Sequence, residues 1–296
     1  MVLRPEEMRQ KRRPPRIAIA LVLIAALLLA VYLFLKPRGQ ETYLVYGVDA
    51  YGSLEETGRS DAMMLVRLDH AHRRLYVVTF ARDMLVDNGR GAKTKINTLI
   101  RKDQQDGPQL LCDAVERNFS VASQGWFRVN FSSLVSIVDA LGGVTLTLSE
   151  EEARYVDKKA GFWPGYPIRA GECRLCGGQA LWYARCREVD SDLGRIDRQT
   201  RLAEAMTAEL RHMSIRKAVD LYQSMNHAWR ASLSAGEQAR LALRGLFARR
   251  YAVTRISVPF EGAFRYGRAS DVSGILPDIE KNRALLLEAL GETVSE

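Results

Sequence analysis

Apolar runs of two different lengths divide the chain. The first run covers residues 17–35 and contains no charged residue over 19 positions. The apolar runs after residue 41 are only five or six residues long and are separated by polar turns, which is typical of strands in a globular domain. The pattern therefore predicts one long apolar helix followed by a separate folded domain.

Hydrophobic periodicities of about 2 and 3.6 residues after residue 41 predict interleaved strands and helices. The predicted strands are Tyr43–Val48, Met63–Leu68, Leu75–Phe80, Trp126–Phe131, Val144–Leu148 and a closing pair, Val253–Val258 with Arg265–Val272. The predicted helices are Asn97–Gln105, Pro108–Phe119, Ser132–Leu141 with Ser132 as N-cap, a short helix from Gln179–Tyr183, Gly194–Met213, Ile215–Trp229, Gly236–Ala248 and Pro277–Leu290. Residues 157–178, rich in Gly, Pro and Trp, are predicted to form a long loop. This alternation indicates an α/β or α+β layered fold.

The long apolar run is predicted to be a retained membrane anchor. At about 1.5 Å per residue it spans roughly 28 Å, close to the thickness of a bilayer's hydrocarbon core. A cleaved signal peptide has an apolar region of about 7–15 residues and a small-residue cleavage site, and this run lacks both features. Six Lys/Arg precede it, which predicts a cytoplasmic N-terminus. We therefore expect a cytoplasmic tail at 1–16, a transmembrane helix at 17–35, a linker at 36–41 and an extracytoplasmic domain at 42–296.

Most of the positive charge belongs to the N-terminal segment. The whole chain has a formal net charge of +8, but residues 1–40 contain eight Lys/Arg and only two acidic residues. The body that follows therefore has a net charge of only +2. A nearly neutral domain that faces outward argues against nucleic acid as a partner.

The four cysteines, Cys112, Cys173, Cys176 and Cys186, include a single C-x-x-C pair. A zinc site requires a second pair of ligands at matching spacing, and none of the four histidines lies near this pair in the sequence. Zinc is therefore disfavoured. Because disulfides are permitted outside the membrane, a local disulfide and free thiols both remain open.

Several polar clusters follow or precede apolar strands, where a rigid strand end can present a side chain to a cleft. Asp49 follows the first strand and Asp61 precedes the second, a pair that suits a hard cation bound together with phosphate oxygens. Arg82 and Asp83 follow the third strand, and Lys95-Ile96-Asn97 comes next. Taken singly, Asp49 and Asp61 are more typical of surface turns, and Asn97 is more typical of a helix cap.

The densest cluster of basic residues lies near position 190. Arg195 and Gln199 are four residues apart and share one face of a predicted helix, with Arg198 beside them. Arg185 and Arg187 share a face only if that stretch is extended. Several guanidinium groups that converge on one site suit a pyrophosphate, because each binds phosphate oxygens in a bidentate manner. The alternative is a solvated helix face whose arginines pair with neighbouring acids.

Taken in order, these clusters resemble the LytR-CpsA-Psr family over about residues 43–210. The matching segments are Gly47-Val48-Asp49, Arg59-Ser60-Asp61-Ala62-Met63-Met64, Arg82-Asp83, Lys95-Ile96-Asn97, Val138-Asp139-Ala140-Leu141-Gly142-Gly143-Val144, Gln179-Ala180-Leu181-Trp182-Tyr183-Ala184-Arg185-Cys186-Arg187 and Asp192-Leu193-Gly194-Arg195-Ile196-Asp197-Arg198-Gln199. No single motif is decisive, but the ordered set is specific.

The resemblance implies an α-β-α layered domain with a central mixed sheet and a hydrophobic pocket for a polyprenyl chain. It implies transfer of a teichoic-acid- or capsule-like glycopolymer from a polyprenyl-pyrophosphate carrier to peptidoglycan, at the membrane. By the family pattern, Asp49 and Asp61 would hold Mg²⁺ (or Mn²⁺), and Arg82 and Asp83 would be catalytic, with Asp83 as a candidate base. The expected pyrophosphate ligands are Arg59, Arg82, Arg185, Arg187, Arg195 and Gln199, together with Arg198 beside them.

Two departures from the family pattern affect these expectations. Ala81 stands where the family generally has proline, which predicts a looser backbone before Asp83. The Gly-Gly that usually follows Lys-Ile-Asn is absent. Two alternative functions also remain: hydrolysis of the lipid pyrophosphate at the same site, and a catalytically inactive, wall-associated regulatory membrane protein.

Overall fold

The computed structural model describes residues 39–48, 60–100, 106–186, 188–189, 192–224, 228–269 and 271–292. Their strands are β1 (Gln40–Val48), β2 (Ser60–Asp69), β3 (Arg74–Phe80), β4 (Leu85–Asp87), β5 (Lys93–Lys95), β6 (Trp126–Val129), β7 (Val144–Leu148), β8 (Gly171–Leu175), β9 (Arg230–Ala231), β10 (Ala252–Val258), β11 (Phe264–Ala269) and β12 (Val272–Pro277). Their helices are α1 (Gly107–Phe119), α2 (Phe131–Leu141), α3 (Glu150–Ala160), α4 (Gly177–Arg185), α5 (Asp192–His212), α6 (Ile215–Ser224), α7 (Ala235–Ala248) and α8 (Ile279–Ala289), with a 3₁₀ helix at Ile96–Thr98.

The central sheet has the strand order β10-β3-β2-β1-β6-β9. The first three strands in sequence are antiparallel neighbours, and the turn at residues 70–73 returns the chain from β2 to β3. β6 and β10 instead run parallel to β1 and β3, after long excursions through helices. The predicted central mixed sheet is therefore confirmed.

Helices cover both faces of this sheet. On one face, the buried side chains of β1, β2 and β3 pack with α1 and α8 in the main core, which includes Leu44, Tyr46, Met63, Leu65, Val78, Phe80, Phe119 and Leu286. Each large apolar side chain that is fully buried contributes roughly 1.5–3 kcal/mol of transfer free energy. A second core lies within the helical layer of the other face, where α4 and α5 pack with α3 and the β7–β8 hairpin. Sheet residues that alternate with those of the main core, among them Val45, Met64 and Val77, face α2, α4 and α5, which gives the predicted α-β-α arrangement.

The start of α2 differs from the prediction. Asn130, not Ser132, is the N-cap, and its side-chain oxygen accepts a hydrogen bond from the Ser133 N–H at 2.8 Å. The helix therefore begins at Phe131, and the preceding strand ends at Val129 instead of extending to Phe131. Asn is among the strongest N-cap residues, so the cap two positions earlier prevails.

Two longer predictions are also corrected. The segment 157–178 is not one loop, because it contains the end of α3 and all of β8. The closing strand pair is wrong: β10 adds in parallel to β3 at the sheet edge, whereas β11 pairs with β12. Addition to the sheet edge satisfies backbone groups of both β3 and β10, and it buries Ile256 and Val258 in the main core.

The predicted anchor at 17–35 lies outside the described residues. Among the residues that the structure describes, no helix combines the length and apolar character that crossing a bilayer requires. β1 already begins at Gln40, so the last positions of the predicted linker belong to the sheet.

Candidate functional site

An elongated apolar cavity of about 360 Å³ lies between the sheet and the helices α2, α4 and α5. The sheet contributes Val45, Val48, Ala62, Met64, Val66, Leu75, Val77 and Val129, and the helices contribute Leu134, Ile137, Leu181, Leu202, Ala203, Met206 and Leu210. Along α5 the lining extends from Arg195 to Leu210, about 22 Å at 1.5 Å per residue. The cavity therefore has the dimensions of a site for an extended apolar chain.

Basic side chains enter this cavity from two helices. Arg185, in the last turn of α4, and Arg195 with Gln199, near the start of α5, all line it. Arg195 is only 2% exposed. The Arg185 guanidinium lies over the ring of Phe131 at 4.3 Å from its centroid, and Trp182 is at 5.1 Å. Three of the predicted pyrophosphate ligands thus converge on one cavity whose described lining contains no acidic residue.

Two cavity-lining residues, Asn130 and Phe131, were not among the predicted site residues. Asn130 caps α2, and the Phe131 ring lies against the Arg185 guanidinium. The capping box between Asn130 and Ser133 is a signal in the sequence that marks this helix start. Stacking of a guanidinium on a ring restrains its orientation, which is what a bidentate phosphate contact requires.

Arg198 lies on another side of α5. It is 1% exposed, donates a hydrogen bond to the Cys186 carbonyl oxygen at 2.8 Å, and has its Nη1 3.6 Å from the Glu152 carboxylate. It is not among the residues that line the cavity. Contact of Arg198 with pyrophosphate stays a prediction, and its described contacts hold the segment that follows Arg185 against α5.

Glu152 is the carboxylate that connects these elements. It accepts a hydrogen bond from the Ser149 N–H at 3.0 Å, which caps α3, and it lies 3.3 Å from Nη1 of Arg201. Burial raises the pKa of Tyr183 beside it, and the Glu152 charge raises that pKa further, so the tyrosine hydroxyl stays protonated.

Glu152→Gln is expected to destabilise the domain by about 3 kcal/mol. Glutamine at this position retains the helix cap, but the buried guanidinium of Arg198 loses its carboxylate partner, and breaking a buried ion pair costs about this amount. Urea unfolding followed by circular dichroism measures the effect. The control is Glu150→Gln, an exposed residue in the same helical turn. Equal unfolding midpoints for the two variants would contradict the proposed role of Glu152.

Asp83 lies outside the apolar cavity, in a second cleft of about 370 Å³. Its carboxylate accepts a hydrogen bond from Lys95 Nζ at 3.1 Å and lies 3.5 Å from Arg82 Nε. Ile196 also lines this cleft, whereas the preceding residue, Arg195, lines the apolar cavity. Two consecutive residues of α5 thus line the cavity and the cleft.

The backbone before Asp83 is held more firmly than the sequence predicts. The Ala81 N–H donates a hydrogen bond to the Val258 carbonyl oxygen at 2.8 Å, a bond that proline cannot make. Asn97 is buried within the 3₁₀ helix and does not cap it, and its N–H bonds to the Arg82 carbonyl oxygen. Alanine at position 81 thus ties the segment to β10 instead of loosening it.

The predicted metal ligands are only partly described. Asp49 lies outside the described residues, and for Asp61 only the backbone is described. The predicted pyrophosphate ligands Arg59 and Arg187 also lie outside the described residues. In the β1–β2 register, Gly47 pairs with Ala62 and Val48 pairs with Ser60, which leaves Asp61 as the extra residue of a bulge. Bulges are over-represented next to active sites. The ends of β1 and β2 also contribute Val48 and Ala62 to the cavity lining.

All four cysteines are buried and carry free thiols. Cys173 and Cys186 belong to the second core, and burial raises the pKa of Cys112. Among the described residues, no group of three or more His, Cys, Asp or Glu side chains is placed to hold a metal ion.

The sequence matches a known protein family and several of its characterised members. A model of the LytR_cpsA_psr family matches residues 17–272. The polyisoprenyl-teichoic acid–peptidoglycan teichoic acid transferase TagU of Oceanobacillus iheyensis is 32% identical over 193 residues, which are 63% of this chain and 57% of TagU. The regulatory protein MsrR of Staphylococcus aureus is 26% identical over 179 residues, 59% of this chain and 50% of MsrR. The chain thus spans about half the length of these curated relatives.

The fold also matches a solved structure. TagT bound to LIIa-WTA superposes with a TM-score of 0.68, covering 86% of this chain and 92% of TagT, at 20% sequence identity. At that identity the match establishes the shared fold and leaves the chemistry to the residues of the site.

Proposed function

Because this chain belongs to the LytR-CpsA-Psr family, we propose that it transfers a phosphate-linked glycopolymer from a polyprenyl-pyrophosphate carrier to peptidoglycan, with formation of a phosphodiester. The observation that supports this most strongly is the elongated apolar cavity whose one end carries Arg185, Arg195 and Gln199. A polyprenyl pyrophosphate has a long apolar chain and a negatively charged pyrophosphate, and it matches an apolar cavity with basic side chains at one end. TagU, the relative described above, is named as a teichoic acid transferase that acts between a polyisoprenyl-linked teichoic acid and peptidoglycan.

The donor's polyprenyl chain occupies the apolar cavity, with its pyrophosphate at the Arg195 end. Guanidinium groups bind phosphate oxygens in bidentate pairs, and in a site of low exposure their charges are weakly screened. As the phosphate–phosphate bond breaks, negative charge develops on the departing polyprenyl phosphate. Arg185 and Arg195 are placed to stabilise that charge.

Mg²⁺ (or Mn²⁺) would be held by Asp49 and Asp61. The pairing of Val48 with Ser60 supports this, since it brings the ends of the two strands that carry these residues together beside the cavity. When bound, the ion supplies a positive charge that polarises the phosphoryl oxygens. Arg82 and Asp83 remain the candidate catalytic residues on the acceptor side, with Asp83 as the base.

We also propose that the protein is located at the cell membrane. The apolar run at 17–35 would anchor the chain in the cell membrane as a single-pass protein, with its N-terminus in the cytoplasm and the described domain outside. An anchor of this kind keeps the domain beside a lipid carrier that cannot leave the bilayer.

The full chain in detergent, supplied with glycopolymer carrier, Mg²⁺ and peptidoglycan, is expected to form phosphodiester-linked polymer and free polyprenyl phosphate. Removal of divalent cations with EDTA, or Asp61→Asn, should lower the rate of transfer by about 100-fold, because each removes metal stabilisation of phosphoryl charge. Chromatography of the products against time measures the rate.

Asp220→Asn, an exposed change on α6, is the control and should leave transfer unaltered. Cleaved carrier without linked polymer, even with peptidoglycan present, would establish the hydrolase alternative. Absence of both reactions, despite a folded domain, would favour the regulatory alternative that the similarity to MsrR suggests. A rate that does not respond to EDTA would eliminate the metal.

A further inference from the structure

The cleft beside Asp83 has a wall that the donor site does not use. The β11–β12 hairpin forms it, contributing Tyr266, Gly267, Ser273, Gly274 and Ile275. Tyr266 is 67% exposed, although it is one of the largest side chains of the hairpin. An exposed aromatic ring, a carboxylate, an ammonium group and a hydroxyl thus share one cleft. Its volume falls within the range of about 300–1,000 Å³ typical of ligand pockets.

The hairpin is fixed to the backbone of Asp83. The Ile275 N–H donates a hydrogen bond to the Asp83 carbonyl oxygen at 3.1 Å, and Ile275 also forms an isolated parallel bridge with Met84. A Cβ atom on Gly274 would lie 2.4 Å from that same carbonyl oxygen. Glycine at this position therefore permits a close approach that no other residue would allow. Tyr266 pairs with Ile275 across the hairpin, so its backbone is fixed relative to that of Asp83.

The Tyr266 ring is itself restrained. Phe264 packs against the main core, and its ring lies 5.7 Å from the Tyr266 ring at an interplanar angle of 87°. The Tyr266 ring is therefore held in one orientation while most of its surface remains exposed to solvent. Aromatic rings that remain ordered and exposed beside hydrogen-bonding groups suit sugars, because a pyranose presents an apolar face of C–H groups and a polar rim of hydroxyls.

We infer that this cleft is the acceptor subsite, in which a pyranose ring of a glycan strand stacks on Tyr266 and presents one hydroxyl to Asp83. The inference rests on the proposed function, and it adds the place where the acceptor binds and the residue that recognises its sugar. Lys95 is a positioning residue, since its ammonium group holds the Asp83 carboxylate at 3.1 Å.

Transfer in this cleft would exchange one phosphoryl bond for another. The sugar hydroxyl oxygen forms a bond to the phosphorus that carries the glycopolymer, and its proton passes to the Asp83 carboxylate. The bond from that phosphorus to the bridging oxygen breaks, and this oxygen leaves with the polyprenyl phosphate. The two sites share no lining residue, and the consecutive residues Arg195 and Ile196 of α5 line the cavity and the cleft, so the two substrates would meet at this point of α5.

The test uses the full chain in detergent with a soluble peptidoglycan glycan fragment as the probe. Tyr266→Ala is expected to raise the Kd of the fragment, and its KM in transfer, by about 10-fold, the size of one lost aromatic stacking contact. The affinity for the lipid donor should not change. Tyr266→Phe should restore fragment binding, because the ring is retained. Phe162→Ala, which removes a ring that is 79% exposed and lies outside the cleft, is the matched control.

The outcomes separate this inference from the proposed function. Equal fragment affinity and equal KM for wild type and Tyr266→Ala would overturn the acceptor subsite and leave transfer intact. Fragment binding that depends on Tyr266, in a protein that cleaves its donor but transfers nothing, would support glycan binding in the cleft but overturn transfer, and with it the acceptor role of the cleft. A wild-type protein that does not bind the fragment would overturn the subsite.

Discussion

Arg195→Lys is expected to lower the rate of glycopolymer transfer by about 100-fold, the loss typical of removing one group that stabilises transition-state charge. Lysine keeps the positive charge but replaces a planar fork of donors with a single point charge. Arg195 is 2% exposed and lines the cavity beside Arg185, so water cannot replace the missing donors. Turnover at saturating donor measures the effect.

The control for this substitution is Arg211→Lys. It makes the same change on the same helix, but Arg211 contacts the Tyr251 carbonyl oxygen and does not line the cavity. Both variants should melt at the wild-type temperature. Equal turnover for the two lysine variants would show that Arg195 contributes charge alone, and would remove it from the bidentate phosphate contacts.

Ala203→Trp should lower transfer from a long-chain polyprenyl donor by about 100-fold. Ala203 lies midway along the α5 wall of the cavity, and an indole there occupies space that the lipid tail needs. Exclusion of about four methylene groups, at roughly 0.8 kcal/mol each, removes about 3 kcal/mol of binding free energy. The measurement compares the KM of long-chain donors with that of donors too short to reach position 203.

Short-chain donors are expected to react at nearly the wild-type rate, since the phosphate contacts are unaltered. Ala208→Trp adds the same side chain at an exposed position of α5 and is the matched control. A parallel loss of activity for short and long donors would assign the defect to misfolding of α5 and not to blockage of the cavity.

Local patterns predicted those parts of the fold that depend on neighbours in sequence. The strands near Leu44, Leu65 and Val78 follow from their apolar runs, since antiparallel neighbours need only a short turn. Helix α3 was missed, although Ser149 and Glu152 form the serine-x-x-glutamate capping signature. The place of β10 was mispredicted because a parallel partner is chosen by the edge of a sheet formed almost two hundred residues earlier.

The same distinction between local and long-range contacts applies to the residues of the candidate site. The spacing of Arg195 and Gln199 predicted a shared helical face, and both line the cavity. Nothing local indicated that Arg198 faces Glu152, because that contact depends on how α3 packs against α5. The sequence also did not predict that Asp83 lies in a cleft separate from the cavity, because a hairpin far along the chain forms a wall of that cleft.

The hairpin that carries Tyr266 contributes to one side of the reaction only. Five of its residues line the cleft at Asp83, and no residue of the hairpin is among those that line the apolar cavity. Apart from Gly274 and Ile275, which fix it to the backbone of Asp83, the hairpin can therefore vary in sequence without altering the lining of the apolar cavity. If the cleft binds the acceptor as proposed, substitutions at its exposed position 266 could change which sugar is recognised, while the lining of the apolar cavity is inherited unchanged.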